Sequence, residues 1–238
     1  MLLAKTFRVL VEMILTERYH CEPLSDVQYP AGTRPPDLFA YPRPSGPIRL
    51  VFIGWNPPRP FGGFCSLDGE DNLRSALHEI LSTIEEIDTR KPDGTFLDEF
   101  LSEGFFFLHA VKCWTKAKYP GFGRSARKED RHKVGLPLLR ACSGTHLRAE
   151  LDQLMPAKVC VLGELPYLGV CHAFRAKYLF PVISSPTEGR VFEPSATGLS
   201  WPLLYTCFPQ PQTVTVRGKA ERVVAKELTR RHLEMFLQ

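Results

Sequence analysis

The chain has 238 residues, 44% of them hydrophobic and 24% charged, and a formal net charge of +4. That is a globular composition, in a chain long enough to bury roughly 70% of its unfolded surface, and it excludes disordered, collagen-like and coiled-coil proteins. No run reaches the roughly 18 to 20 apolar residues that cross a bilayer, and Met1 to Lys5 leads into no signal-peptide core, so the expectation is a soluble intracellular protein, cytoplasmic and nucleoid-associated or nuclear.

Leu2 to Arg18 carries apolar residues at helical spacing and reads as an amphipathic helix, followed by a proline-rich extended connection from His20 to Pro47. Ile48 to Ile53, a β-branched and aromatic run between Pro47 and Gly54, reads as a buried strand. Asp71 to Ile87 is a helix and Phe105 to Val111 a second strand. Leu138 to Met155 is helical, Lys158 to Leu162 a third strand, and Glu164 to Arg175 a further helix. Tyr178 to Ile183 and Leu203 to Phe208 are the remaining strand candidates, and Lys219 to Leu237 closes the chain as a helix.

Strands alternating with helices predict an α/β fold, a mainly parallel sheet covered on both faces. The expectation is one domain over residues 1 to 238, with residues 1 to 47 packed on it. In such sheets ligands sit beyond the carboxyl ends of the strands, which points to Gly54 to Phe64, His109 to Trp114, Gly163 to Glu164 and Phe208 to Gln212.

Two of these segments carry chemistry. In Gly54-Trp55-Asn56-Pro57-Pro58 two prolines stiffen a turn that the glycine makes possible. The amide of Asn56 is then held rigidly enough to orient a water or a base edge; the alternative is a turn residue that merely caps the loop. From Lys112 to Arg140 nine basic residues face two acidic ones, a net +7 that leaves −3 for the rest of the chain. Trp114, Tyr119 and Phe122 interleave with these charges, as in grooves that bind phosphates and stack bases; the alternative is a solvated loop. Phosphate contacts to a nucleic acid are expected from Lys112, Lys116, Lys118, Arg124, Arg127, Lys128, Arg131 and Lys133.

The blocks VFIGWNPP, FFLHAVKCW and AC...HLRAELDQLMPAKVCVLG, in that order, resemble the uracil-DNA glycosylase superfamily. The second and third look most like its thermostable iron-sulfur branch, and GWNPP looks like the GINPG turn of the mismatch-specific branch. The resemblance runs from about Ile48 to Gly163 and more faintly to the end. It implies a three-layer α/β/α sandwich around a four-stranded, mainly parallel sheet, and a DNA glycosylase that extrudes a damaged base and hydrolyses its glycosidic bond in base excision repair.

By that resemblance Asn56 positions the attacking water, Phe61 or Phe64 stacks on the extruded base, with Phe64 favoured, and Gly54 and Trp55 complete the turn. His109 stands where most relatives have an Asn that reads the pyrimidine edge, which leaves the preferred base open. Phe208 lies where the family usually shows the His of a His-Pro-Ser turn; that His donates to the leaving base, which a phenyl ring cannot. Gln210 or His109 is then expected to take over the donation.

Cys113 and Cys142 match two of the branch's four cluster cysteines, but near the amino terminus only Cys21 stands where a close pair is required. No cofactor is therefore assigned, an iron-sulfur cluster being the departure to test. Seven cysteines at irregular intervals are no secreted disulfide framework, and Cys160, Cys171 and Cys207 read as core residues. Cys142 and His146 have i, i+4 spacing without a third or fourth ligand, so no zinc is assigned; His78, His172 and His232 read as surface or satisfied helix residues, and Glu164 as a helix-start acid. The expected partner is DNA, double- or single-stranded, with no membrane and a monomeric chain. The rival readings are a non-catalytic nucleic-acid-binding protein on the same fold and a small-molecule nucleoside hydrolase.

Overall fold

A computed structural model describes residues 46–56, 64, 71–84, 86–87, 96–112, 136–176, 189–210, 213–215 and 222–238. Strand β1 (Leu50–Gly54) is buried throughout, which explains its unbroken apolar run: both of its faces are covered. It pairs in parallel with β2 (Phe105–His109) on one side and β3 (Lys158–Leu162) on the other. Beyond β3 lie β5 (Leu203–Thr206), again parallel, and the antiparallel edge strand β4 (Arg190–Phe192), giving the order β2-β1-β3-β5-β4. The four parallel strands are those expected of the sandwich. The fifth was not foreseen, because three residues are too few to show a period. The helix expected at Leu2 to Arg18 and the strand expected at Tyr178 to Ile183 lie outside the described residues.

Alternation along each strand feeds two cores. Leu50, Phe52, Phe105, Phe107, Cys160 and Leu204 pack against α1 (Asn72–Thr83), α2 (Phe96–Ser102) and α7 (Ala225–Leu237). Val51, Ile53, Phe106, Leu108, Val159 and Val161 pack against α3 (Leu136–Cys142), α4 (Arg148–Leu154) and α5 (Glu164–Phe174) on the opposite face. The one-turn α6 (Pro194–Thr197) leads into Leu199 and Trp201, which join this second core. The β1 to β2 connection crosses one face and the β2 to β3 connection the other, so β1 stands at the switch point where such sheets open a crevice.

Several element ends differ from the sequence expectation for identifiable reasons. Helix α1 starts on Asp71, whose carboxylate accepts the N–H groups of Leu73 at 2.8 Å and Arg74 at 2.9 Å, an N-cap worth about 1 kcal/mol. It stops at Thr83, four residues early, where the N–H of Glu86 turns back to the Leu81 carbonyl while Ile87 stays in the core. Helix α2 was missed although Phe96 and Phe100 share its buried face. The helix expected from Lys219 begins only at Ala225: the β-branched Val223 and Val224 pair instead in β7 (Arg222–Val224), antiparallel to β6 (Thr213–Thr215). Between α3 and α4 the helix widens into a π turn, Ser143–Leu147, and α4 ends at Met155 in the left-handed region with φ 43°.

Gly54, the last residue of β1, lies under the ring of Phe107: a Cβ there would stand 2.6 Å from the ring's Cζ. Phe107 is held in turn by Phe64, stacked on it at 4.3 Å, so the ring has no room to retreat. Gly54→Ala is expected to destabilise the protein by about 1 to 3 kcal/mol through overpacking. Denaturant unfolding of the purified variant checks this, and wild-type stability would contradict it.

Candidate active site

The register of β1 on β2 places Gly54 beside His109, and the ladder continues past the strand ends. The N–H of Ala110 donates to the Gly54 carbonyl and that of Val111 to the Trp55 carbonyl, each at 2.9 Å. The corner at Trp55 and Asn56 therefore leaves the sheet side by side with the segment from His109 to Lys112. A cleft of about 480 Å³ opens there, the size of a small-ligand site. Its lining comes from the β1 corner (Gly54, Trp55, Asn56), the first turn of α1 (Asp71, Asn72, Leu73), β2 (Phe107, His109), Phe64 and Phe208.

One wall is aromatic. Phe107 and His109 share a face of β2, the imidazole edge-on to the phenyl at 4.9 Å and 81°. Phe64, 1% exposed, stacks on the other side of Phe107 and touches Phe96 and Phe100, so it belongs to the core as well as to the cleft. Phe208, 40% exposed, stands at the rim. Helix α7 fixes its turn: Thr229 Oγ1 donates to the Cys207 carbonyl at 3.0 Å, and the Lys226 N–H donates to the Gln210 carbonyl at 3.3 Å. Gln210, expected to replace the missing donor, is half-buried and is not among the described residues that line the cleft; of the described residues of this turn, Phe208 lines it.

His109 is buried, and burial holds its proton affinity well below that of a free histidine, with the nearby Lys112 ammonium adding to the effect. The ring is neutral at physiological pH, so one of its nitrogens is a donor and the other an acceptor. Asp71 faces the same cleft, its carboxylate committed to the N-terminus of α1.

Lys112 corrects the sequence reading. It was expected on a phosphate-binding surface, but its side chain is 0% exposed. Its Nζ lies 2.5 Å from Glu150 Oε2 on α4, itself 4% exposed, and donates to the His109 carbonyl at 2.6 Å. The helix with the π turn secures the rest of the segment. Cys142 Sγ accepts the Lys112 N–H at 3.1 Å, and Ser143 Oγ donates to the Ala110 carbonyl at 3.3 Å. Glu150 and Ser143 were overlooked; an acid at interior helical spacing beside Leu151 and Leu154 was the available signal.

The other expected DNA contacts, Lys116, Lys118, Arg124, Arg127, Lys128, Arg131 and Lys133, lie outside the described residues, as do Phe61, Cys21 and Cys113. Arg140, at the end of the basic stretch, is exposed and donates through Nε to His172 Nε2 at 3.1 Å. Cys142 lies beside the backbone of Lys112. The other described cysteines are buried as thiols: burial raises Cys171 to about 11 and pushes Cys160 and Cys207 up as well. Among the described residues no three His, Cys, Asp or Glu side chains form a metal-binding group; Cys21 and Cys113 are not among those residues. His232 hydrogen-bonds Thr206 Oγ1 through Nδ1 at 2.8 Å, the satisfied core histidine expected, and Glu164 is exposed in the first turn of α5.

The family model of the Uracil DNA glycosylase superfamily matches residues 44–223, about three quarters of the chain, including both strand-end segments that form the cleft. No curated protein matches the chain. No helix among the described residues is long and apolar enough to cross a membrane.

The depressed proton affinity of His109 makes stability depend on pH. Below about pH 6.5 the unfolded chain takes a proton that the folded ring declines, so stability is full above that value and falls as pH drops toward the folded pKa, by up to about 1.4 kcal/mol per pH unit for one site. His172 and His232 are lowered by burial too and add in the same direction. His109→Gln should flatten the dependence in urea unfolding between about pH 5 and pH 7.5; a slope equal to wild type would mean that the ring titrates normally when folded.

Proposed function

The chain belongs to the uracil DNA glycosylase superfamily, and from that premise we propose that it is a DNA glycosylase of base excision repair, hydrolysing the glycosidic bond of a damaged base extruded into the cleft between Asn56 and His109. The observation that carries the reading is the meeting of these two side chains in one aromatic-walled cleft at adjacent strand ends. Cleavage of an N-glycosidic bond passes through a cationic sugar, so the reaction needs orientation and charge stabilisation more than a strong base. The Asn56 carbonyl accepts a hydrogen bond from a water and aims its oxygen at C1′ of the sugar. The C1′–N bond breaks with its electron pair leaving on the base, the water forms the new C1′–O bond, and its spare proton passes to solvent. A neutral His109 donates its N–H to the base as charge develops there, replacing the donor that Phe208 lacks.

Phe64 and Phe107 give the base an apolar wall, and Phe208 at the rim supplies a ring on the side from which a nucleotide arrives. Extrusion costs a few kcal/mol and least at mismatches or in single strands, so base choice is set partly before the cleft is reached. The stretch from Lys116 to Lys133 supplies the phosphate contacts, in double- or single-stranded DNA, to a monomeric chain. The hydrolysis as proposed uses no cofactor.

Phe208 also supports the rival reading, a nucleic-acid-binding protein with an inactive pocket, and one assay separates the two. Oligonucleotides bearing uracil, hypoxanthine, xanthine or an oxidised pyrimidine are incubated with the protein and then treated with alkali. Strand breaks are expected, and Asn56→Ala and His109→Ala should each slow their single-turnover formation by about 100-fold or more. Salt-sensitive binding without breaks on any base would favour the rival. Neutralising Lys116, Lys118, Arg124 and Arg127 together should weaken binding to all sequences and lower the log-log salt slope by about 0.9 per lost phosphate contact. An unchanged slope would remove the basic stretch from the interface.

A further inference from the structure

The buried cation next to the cleft has no place in the hydrolysis as proposed. Lys112 and Glu150 are 0% and 4% exposed, and burying an ion pair is costly enough that an apolar pair of similar volume is often as stable or more so. Fold stability alone therefore does not explain the pair. Its geometry does: the ammonium bridges Glu150 on α4 and the main-chain carbonyl of His109, spanning the α3 to α4 helix and the end of β2.

We propose that the Lys112 and Glu150 pair is a positioning device, which locks the His109 carbonyl and so fixes the direction in which the imidazole enters the cleft. This rests on the glycosylase reading for its effect on rate, but not for its effect on the ring. Four polar groups of the segment are already held: the Ala110 and Val111 N–H by the β1 corner, the Ala110 carbonyl by Ser143, and the Lys112 N–H by Cys142. His109 is the last residue of β2 paired with β1, and Lys112 Nζ reaches back three residues to hold its carbonyl. The N–H of the same peptide is held by the Gly54 carbonyl, so with its own carbonyl released the plane can still tilt about that one remaining bond, and a ring with a single N–H to offer loses its aim. The charge has a second consequence, since an ammonium beside the ring disfavours the imidazolium. Among the described residues the other ionised groups nearby are Glu150, behind Lys112 on α4, and Asp71, from the first turn of α1 across the cleft; the described parts of the β1 corner and of the turn after β5 contribute the uncharged Trp55, Asn56 and Phe208.

The test is the double variant Lys112→Met, Glu150→Met in the full chain, which removes both charges and keeps the volume. Thermal unfolding establishes that it folds; Glu150→Gln, which leaves Lys112 a neutral acceptor, serves as the second variant. Single-turnover excision is expected to fall roughly 10- to 100-fold in the double variant and less in Glu150→Gln, while affinity for undamaged DNA and its salt slope stay at wild-type values. The ¹⁵N signals of the His109 ring, assigned by their loss in His109→Gln, should show one neutral tautomer in wild type across about pH 5.5 to 8. In the double variant they should show exchange between tautomers and a protonation midpoint moved upward. Wild-type ring signals in a folded double variant would overturn the proposal, as would a salt slope lowered by about one, which would make Lys112 a phosphate contact after all. If no base is excised by wild type, the glycosylase reading fails while the ring signals still decide this one.

Discussion

The parallel register of β1 against β2 is the constraint on which the site depends. With Gly54 opposite His109, two segments unrelated in sequence emerge from the sheet at one height, and two further backbone hydrogen bonds hold them together beyond it. A slip of one residue would turn His109 to the opposite face of the sheet, because side chains alternate along a strand. Such a slip is resisted from both sides: Phe105 and Phe107 fill one core, Phe106 and Leu108 the other, and only Gly54 admits the Phe107 ring. Core packing and site geometry are thus consequences of one alignment.

The electrostatics of the cleft follow from depth. His109 is buried against the Phe107 ring and stays neutral, whereas Lys112, a cation beside it, is kept inside by a carboxylate and a carbonyl. Such a site suits a reaction whose charge appears on the substrate, since the protein contributes oriented dipoles that need not reorganise. The π turn belongs to the same construction. Cys142 and Ser143 meet the segment after β2 where the helix widens, and Gly169 on α5 lets that helix pack close, a Cβ there falling 2.8 Å from Ser143 Oγ and 3.1 Å from Ala110 Cβ.

The four parallel strands were legible in the sequence because strands buried on both faces leave continuous apolar runs; Gly54 ends the first of them and serves to admit the Phe107 ring, not to make a turn through positive φ, while Pro57 and Pro58 lie outside the described residues. The edge strand β4 and the hairpin of β6 and β7 were not, since three-residue strands show no period and Val223 and Val224 extend a helical stripe as readily as they form a strand. The strand-end rule pointed to the segment from His109 to Trp114, and the family resemblance singled out His109 within it. Lys112, three residues on, was misjudged because charge counting treats every lysine as solvated; its partner Glu150 is 38 positions away, and only the folded chain brings the two together. The same holds for Phe208 over Gln210, where the path of the turn against α7 decides which side chain meets the cleft.

The central claim is that a nucleobase enters the cleft between Asn56 and His109, and photocrosslinking tests it most directly. An oligonucleotide carrying a single 5-iodouracil is irradiated with the full-length protein, and the adducts are mapped by mass spectrometry. The account predicts adducts on Trp55, Phe64, Phe107, His109 or Phe208. Adducts found only on residues remote from these strand ends would contradict it.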